Sequence, residues 1–170
     1  MENEIPSPGR TPTRSDLIAL CRELNARGAR YVVIGGFAVS YHGFIRATED
    51  IDILIDVDLA NQRRVKKALE VLPEKAILEL GDHDFRDYTV VRVSDDILVD
   101  VMTAACGIDF EEATRGIELA TIEGVEIPFA TPQLLLRMKQ THRENDVADR
   151  IFLHRKIAEL DKEASREKEN

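Results

Sequence analysis

A mixed α/β or α+β domain is the fold class that the sequence predicts, and three observations support it. Apolar residues recur at helical spacing in some segments and in short continuous or alternating runs in others. These segments follow one another in the order α-β-α-β-α, then a β-hairpin, then further strands and helices. The length of 170 residues is enough for one domain with a hydrophobic core.

Composition narrows the class of protein. Hydrophobic residues make up 44% and charged residues 32%, as in soluble globular proteins, and no apolar run has the length of a membrane helix. The net charge of −9 argues against tight non-specific binding of nucleic acid, although a local basic patch could still hold one. Cys21 and Cys106 have no metal-ligand spacing, so we expect two small buried hydrophobes in a reducing, cytoplasmic location.

The first elements are predicted from caps and apolar faces. Residues 1–14 contain three prolines and no apolar signal core, and we expect a flexible lead-in. A helix follows over residues 15–27, with Ser15 as its N-cap and Gly28 at its end. The continuous apolar run over residues 31–34 predicts a central strand that is covered on both faces.

Two glycines and two aspartates follow this strand. Gly35 and Gly36 form the predicted turn, and a short helix covers residues 37–41. The next strand carries Asp50 and Asp52, which point to the same face because side chains alternate along a strand, while the isoleucines between and beyond them point into the core. Two like charges held this close are costly unless a cation lies between them.

Caps, breakers and alternation define the remaining elements. In order, we predict a helix over 59–72 stopped by Pro73, a strand or turn over 76–80, a loop over 81–84, hairpin strands over 88–93 and 97–102, a helix near 110–114, strands over 117–122 and 125–129, a helix from Pro132 to about 139, a final helix over 145–160 and a polar tail over 161–170. Residues 15–160 are expected to form a single domain.

Asp100, in the second hairpin strand, is expected to join Asp50 and Asp52 at one edge of the sheet. All three lie among apolar residues, where a lone aspartate would be unusual. Carboxylate oxygens suit Mg²⁺, so these three are the candidate metal ligands. The alternatives are a solvent-facing strand edge for the pair and an exposed hairpin position for Asp100, because the hairpin register is inferred.

The spacing of these motifs resembles a known signature. Gly35-Gly36, thirteen further residues and then Asp50-Ile51-Asp52-Ile53 are similar to the DNA polymerase β nucleotidyltransferase superfamily, and the run from Arg46 through Thr48 to the aspartates resembles small bacterial members that include AbiE-type toxins. The resemblance covers roughly residues 16–100 and continues more weakly to about 151. It implies the nucleotidyltransferase fold, a small twisted mixed sheet flanked by helices.

The resemblance also implies an activity. Enzymes of this superfamily move an NMP from an NTP to an acceptor hydroxyl and release pyrophosphate, with two Mg²⁺ ions, or Mn²⁺ as the alternative. Asp50 and Asp52 would hold both ions, and Asp100 would hold one ion and help to deprotonate the acceptor. The implied nucleotide-binding residues are Gly35, Gly36, Arg46, Thr48 and Lys139.

Several assignments stay open at this point. Arg46 could bind the triphosphate or form a salt bridge with Glu49 or another acid. Lys139, Arg143 and Asp146 share one face if their segment is helical, and this face could be a solvated ionic surface instead. None of the four histidines is assigned to catalysis, because none has the spacing of a metal or triad motif.

Two functions are compatible with the sequence. The first is the metal-dependent transferase, with a tRNA 3′ end, a protein hydroxyl or a small molecule as acceptor. The second is a non-catalytic nucleotide-sensing or partner-binding module of a toxin–antitoxin-like system, with an antitoxin as its partner. The second is kept because no obvious acceptor-binding domain follows Asp100.

Overall fold

The computed structural model describes residues 9–170. Its helices are α1 (Arg14–Ala26), α2 (Gly35–Tyr41), α3 (Leu59–Leu69), α4 (Asp84–Asp87), α5 (Phe110–Ala113), α6 (Pro132–Met138) and α7 (Glu144–Glu169). Its strands are β1 (Tyr31–Ile34), β2 (Asp50–Ile55), β3 (Val90–Ser94), β4 (Leu98–Met102), β5 (Ala104–Ala105), β6 (Ile108–Asp109), β7 (Ile117–Ile122) and β8 (Val125–Ala130). None of the helices within residues 9–170 combines the length and apolar character needed to cross a bilayer.

Six strands form one mixed sheet in the order β3-β4-β2-β1-β8-β7, and β5 and β6 form a separate two-stranded ribbon. Strand β1 runs antiparallel to β2 and parallel to β8, while β2 runs parallel to β4. The outer pairs, β3-β4 and β7-β8, are antiparallel hairpins. This mixed sheet with flanking helices confirms the predicted fold class.

The central strands are covered because their side chains are apolar on both faces. All four residues of β1 are buried, as are Ile51, Ile53, Leu54 and Ile55 of β2. Helix α1 packs against α3 and β8, whereas α2 packs against β2 and α6, and α6 packs against α7. The sheet is therefore held between helices, and the polar end of β2 is left facing a cleft.

The first helix begins earlier than predicted. Thr13, not Ser15, is the N-cap of α1, because Thr13 Oγ1 accepts from the Asp16 N–H while the Asp16 carboxylate accepts from the Thr13 N–H. Arg10 also pairs with Asp16 and with Asp96. Residues 1–8 of the predicted lead-in lie outside the described residues.

Other element ends differ for local reasons. Helix α3 ends at Leu69, before the predicted stop at Pro73. Each of the three residues after Leu69 donates its N–H to the carbonyl oxygen three residues earlier, as in a 3₁₀ turn. Residues Ala76–Glu79 form a 3₁₀ turn, and the predicted loop leads into the short helix α4. Helix α7 continues to Glu169 because residues 161–169 are helix formers without glycine or proline.

One cysteine is placed as expected and the other is not. Cys21 is fully buried, whereas Cys106 is exposed, so the prediction of two buried thiols was wrong for Cys106. The reason is the β5-β6 ribbon, which was not predicted. Cys106 and Gly107 both adopt left-handed backbone angles, with φ of +48° and +78°, at the tip of this tight hairpin.

Candidate metal centre

Strand register brings the three aspartates together. In the parallel pairing of β2 with β4, Asp52 lies directly opposite Asp100, so the two side chains leave the same face of the sheet. Asp50, two residues before Asp52, points to that face as well. Carboxylate oxygens of all three residues lie within 4.8 Å of one another. The expected convergence at one edge of the sheet is therefore present.

The donor set fits a small, hard divalent cation. Mg²⁺ and Mn²⁺ prefer carboxylate oxygens and keep positions for water and substrate phosphates. Asp100 is buried, while Asp50 and Asp52 are only partly buried, so the cluster opens on one side. These residues could hold a cation and leave part of its coordination sphere for a ligand.

The cluster is electrostatically strained by its own charges. Burial raises the pKa of Asp52 to about 8, and the neighbouring carboxylates of Asp50 and Asp100 add to this rise. The pKa of Asp50 is raised by burial and then by Asp100. A divalent cation would relieve both effects, because an opposite charge favours the ionised carboxylate.

Glycines make room for this cluster. Gly35 has a φ of +67°, and a Cβ atom placed on it would overlap the Asp52 carboxylate. A Cβ atom on Gly36 would lie 2.7 Å from Thr48 Oγ1. Contrary to prediction, both glycines belong to the first turn of α2 and do not precede it, which sets that turn directly against β2 and the loop before it.

Arg92 donates hydrogen bonds to two of the three carboxylates of the centre. Its Nε donates to Asp100 Oδ1 over 2.8 Å, and its Nη2 donates to Asp100 Oδ2 and to Asp50 Oδ2, each over 2.9 Å. Sequence reasoning missed this residue. The signal was the β3-β4 hairpin, since Arg92 is the direct cross-strand partner of Asp100.

A second ionic cluster lies in the same cleft and joins four residues that are distant in sequence. Lys139 Nζ lies 2.9 Å from Asp149 Oδ2 and 3.4 Å from Asp146 Oδ1. Arg46 binds Asp149 with two parallel hydrogen bonds of 2.8 and 2.7 Å. Lys139 and both aspartates are buried, so this is not the solvated ionic surface that was the alternative.

The cations of this cluster keep its aspartates ionised. Burial alone would raise the pKa of Asp149, but hydrogen bonds from Arg46 and Lys139 outweigh it and hold that pKa below its ordinary value. Burial is also outweighed at Asp146, where Thr141, Lys139 and Arg143 lower the pKa. The second cluster is therefore internally neutralised, unlike the three aspartates of β2 and β4.

Two predictions about this segment are corrected. Lys139, Arg143 and Asp146 do not share one helix face, because α6 ends at Met138 and α7 starts only at Glu144. The break between the two helices nevertheless brings Lys139 and Arg143 into contact with Asp146. Of the two interpretations of Arg46, a salt bridge is present, and its acid is Asp149, not Glu49.

Both clusters line one cleft of about 1000 Å³. Besides Arg92, its lining includes the cations Arg46, Lys139 and Arg143, and small or apolar residues such as Met102, Ala105 and Cys106. The four histidines are not among the lining residues; His42 is buried and its Nε2 bonds to the Ala130 carbonyl oxygen. A smaller cavity of about 610 Å³, beside Arg30 and Phe110, contains none of the predicted site residues.

Comparisons with known proteins find only distant structural similarity. No protein-family model and no curated protein matches the chain. An antigenic nucleotidyltransferase-like protein from Paracoccidioides brasiliensis is similar at 19% identity and a TM-score of 0.48, over 82% of this chain and 73% of its own. A candidate nucleotidyltransferase from Thermotoga maritima is similar at 15% identity and a TM-score of 0.47, over 95% of this chain and 98% of its own. At these values neither structure decides what this chain does.

Proposed function

We propose that this chain is a divalent-metal-dependent nucleotidyltransferase that moves an NMP from an NTP to an acceptor hydroxyl and releases pyrophosphate. The observation that supports it most is the in-register convergence of Asp50, Asp52 and Asp100 in an open cleft. A cleft that contains both a cluster of acids and lysine and arginine side chains can hold metal ions at the acids and phosphate groups at the basic residues. The sequence motifs that resemble the nucleotidyltransferase superfamily agree with this arrangement.

The acidic residues would hold the ions. Asp50 and Asp52 would contact two Mg²⁺ or Mn²⁺ ions, and Asp100 would contact one of them. The chemistry that such a pair supplies when bound is neutralisation of phosphate charge and in-line alignment of the attacking and leaving oxygens. Asp100 would also help to deprotonate the acceptor hydroxyl, as the resemblance to the superfamily implies.

The remaining site residues would hold the nucleotide. The Lys139 ammonium has three donors and faces two aspartates, which leaves one N–H for a phosphate oxygen. Arg46 adds positive charge at a position set by Asp149, and Thr48 packs against Gly36. Without side chains, Gly35 and Gly36 let the backbone approach a phosphate closely.

The first test is transfer of label from α-³²P-labelled NTPs in the presence of Mg²⁺. Wild-type protein is expected to label an acceptor among tRNA, candidate partner proteins and small hydroxylated molecules. Asp52→Asn should lower the rate by on the order of 100-fold or more, since it removes a charge from the centre. The matched control is Asp82→Asn, an exposed aspartate between the 3₁₀ turn and α4. Equal transfer by Asp52→Asn, with an unchanged circular dichroism spectrum, would refute the proposal.

A non-catalytic nucleotide-sensing or partner-binding module is the second candidate. One observation favours it: Arg92 already pairs with two of the three carboxylates. Calorimetry separates the two functions. Binding of NTP without pyrophosphate release across all acceptors would favour the sensor, and pyrophosphate release would exclude it.

Finer assignments are part of the same proposal. We propose that the chain belongs with the small AbiE-type branch, acts in the cytoplasm and has an antitoxin as its partner, supported by the run from Arg46 to Asp52. We also propose that residues 15–160 form a single domain, since α6 and α7 supply Lys139 and Asp149 to the cleft formed by the sheet.

A further inference from the structure

Arg92 occupies the oxygens that a metal ion would use. We infer that Arg92 is a built-in counter-cation that competes with divalent ions for Asp50 and Asp100, so that an ion binds the cluster only when the guanidinium leaves it. This inference rests on the metal site of the proposed function. It concerns the affinity of that site and how ion binding is regulated.

The contacts make the competition direct. Both carboxylate oxygens of Asp100 accept hydrogen bonds from Arg92, and Asp50 Oδ2 accepts a third. Such forked pairs between a guanidinium and a carboxylate are among the stronger polar contacts in proteins. A cation bound to Asp50 and Asp100 would have to displace these bonds.

The position of Arg92 allows it to leave. It lies on β3, one of the two edge strands of the six-stranded sheet, and its side chain is 53% exposed. Its guanidinium can therefore move into water without opening the core. Lys139 differs, because its side chain is only 8% exposed and is held between two aspartates. Of these two cations, Lys139 is fixed in the cleft and Arg92 can leave it.

Charge predicts how Arg92 changes the affinity of the cluster for a divalent ion. Three carboxylates with Arg92 carry less negative charge than three carboxylates alone, so the guanidinium weakens the attraction for a divalent ion. If Arg92 served only to orient Asp100, its removal would loosen the ligand and weaken ion binding. Removal of Arg92 should therefore strengthen ion binding if the residue competes with the ion, and weaken ion binding if the residue only orients Asp100.

The test is a Mn²⁺ titration of the full-length protein at low ionic strength, followed by the electron paramagnetic resonance signal of free Mn²⁺. Arg92→Gln should bind Mn²⁺ at least about tenfold more tightly than wild type, because a unit charge close to the ion has been removed. Arg92→Lys keeps the charge but loses the forked contact, and it should show a smaller gain. The matched control is Arg86→Gln, which removes an exposed arginine paired with Asp87 outside the cleft and should change nothing.

Unchanged or weaker Mn²⁺ binding by Arg92→Gln would overturn the inference. If that variant folds poorly by circular dichroism, Arg92→Lys decides, since equal or weaker binding there contradicts competition too. Wild-type binding that Asp52→Asn abolishes and Arg92→Gln does not tighten would leave the metal site standing and refute only the role of Arg92. Tighter binding by Arg92→Gln without any nucleotidyl transfer by wild type would support the inference and refute the proposed activity.

Discussion

Gly35 and Gly28 share the same positive φ angle but not an environment. Both have a φ of +67°, where a side chain is strained. A Cβ atom at Gly35 would overlap the Asp52 carboxylate, whereas a Cβ atom at Gly28 would have no atom within 4 Å. The pair therefore separates the cost of the backbone angle from the cost of crowding the metal centre.

Alanine at these two positions should have different effects on the site. Both Gly28→Ala and Gly35→Ala should lose about 1 kcal/mol or more of stability from backbone strain, measured by urea unfolding. Only Gly35→Ala should also lose Mn²⁺ binding, because Asp52 must move away from its two neighbouring carboxylates. If Gly35→Ala bound Mn²⁺ as well as Gly28→Ala, the close approach would have no role in building the centre.

Single residues were predictable where a sequence pattern fixes their direction. Asp50 and Asp52 share a face by the alternation of a strand, and the hairpin supplied Asp100. Asp149 was not predicted as a site residue, because its partners Arg46 and Lys139 meet it only in the folded chain. Arg92 could have been found by writing out the hairpin register.

At the scale of elements, the break between α6 and α7 brings the residues of the second ionic cluster together. The short connection turns α7 so that Asp146 and Asp149, in its first two turns, face Lys139 at the end of α6. A continuous helix would have placed these groups along one exposed stripe. The break thus converts a surface pattern into a buried cluster.

Asp149→Asn should destabilise the protein strongly. It leaves the buried Lys139 and the partly buried Arg46 without their shared counter-charge, and such a loss costs about 3 kcal/mol. Chemical unfolding followed by circular dichroism measures this change. Glu70→Gln, which breaks an exposed pair with Lys67, is the control and should have little effect. A similarly small effect of Asp149→Asn would show that the cluster does not stabilise the fold.

Element types were predicted better than element ends. The strands over 31–34 and 117–122 match the structure because they are bounded by clear turn residues. The start of α1 was missed because Ser15 and Thr13 are both good caps, and only Thr13 has an acid three residues later that returns its hydrogen bond. The ribbon of β5 and β6 was missed because two-residue strands carry no periodicity.

At the scale of the whole molecule, the aspartates of the metal centre and those of the second ionic cluster make stability depend on pH in opposite directions. Asp52 has a raised pKa of about 8, so the folded protein keeps a proton that the unfolded chain loses above about pH 4. Stability without metal therefore falls as pH rises from about 4 to 8. Asp146 and Asp149 have lowered pKa values, so their contribution is present above about pH 4 and is lost as pH falls below it.

Thermal unfolding in the presence of a chelator tests this dependence of stability on pH. We expect the Tm of wild-type protein to fall between pH 5 and 8, and the Tm of Asp52→Asn to fall less, because its side chain does not titrate. Mg²⁺ added at pH 8 should raise the Tm of wild type more than that of the variant, since the ion binds the ionised cluster. A wild-type Tm that is flat or rising over this range would contradict the pKa assigned to Asp52.

The fold class followed from the order of helices and strands, but the strand order did not. Hairpins such as β3-β4 are local and could be predicted from turn residues. The parallel pairings of β2 with β4 and of β1 with β8 join distant segments, and no local pattern in either strand indicates which strand it pairs with. The position of Asp100 beside Asp52 depended on one of these pairings.

That pairing has a consequence for newly made protein. Forty-seven residues separate Asp52 from Asp100, and Asp149 follows later still. A chain emerging from the ribosome carries its glycine pair and first two aspartates long before it can assemble a place for an ion. The three-carboxylate cluster can therefore form only after β4 has been made, and fragments that end before Asp100 would lack it.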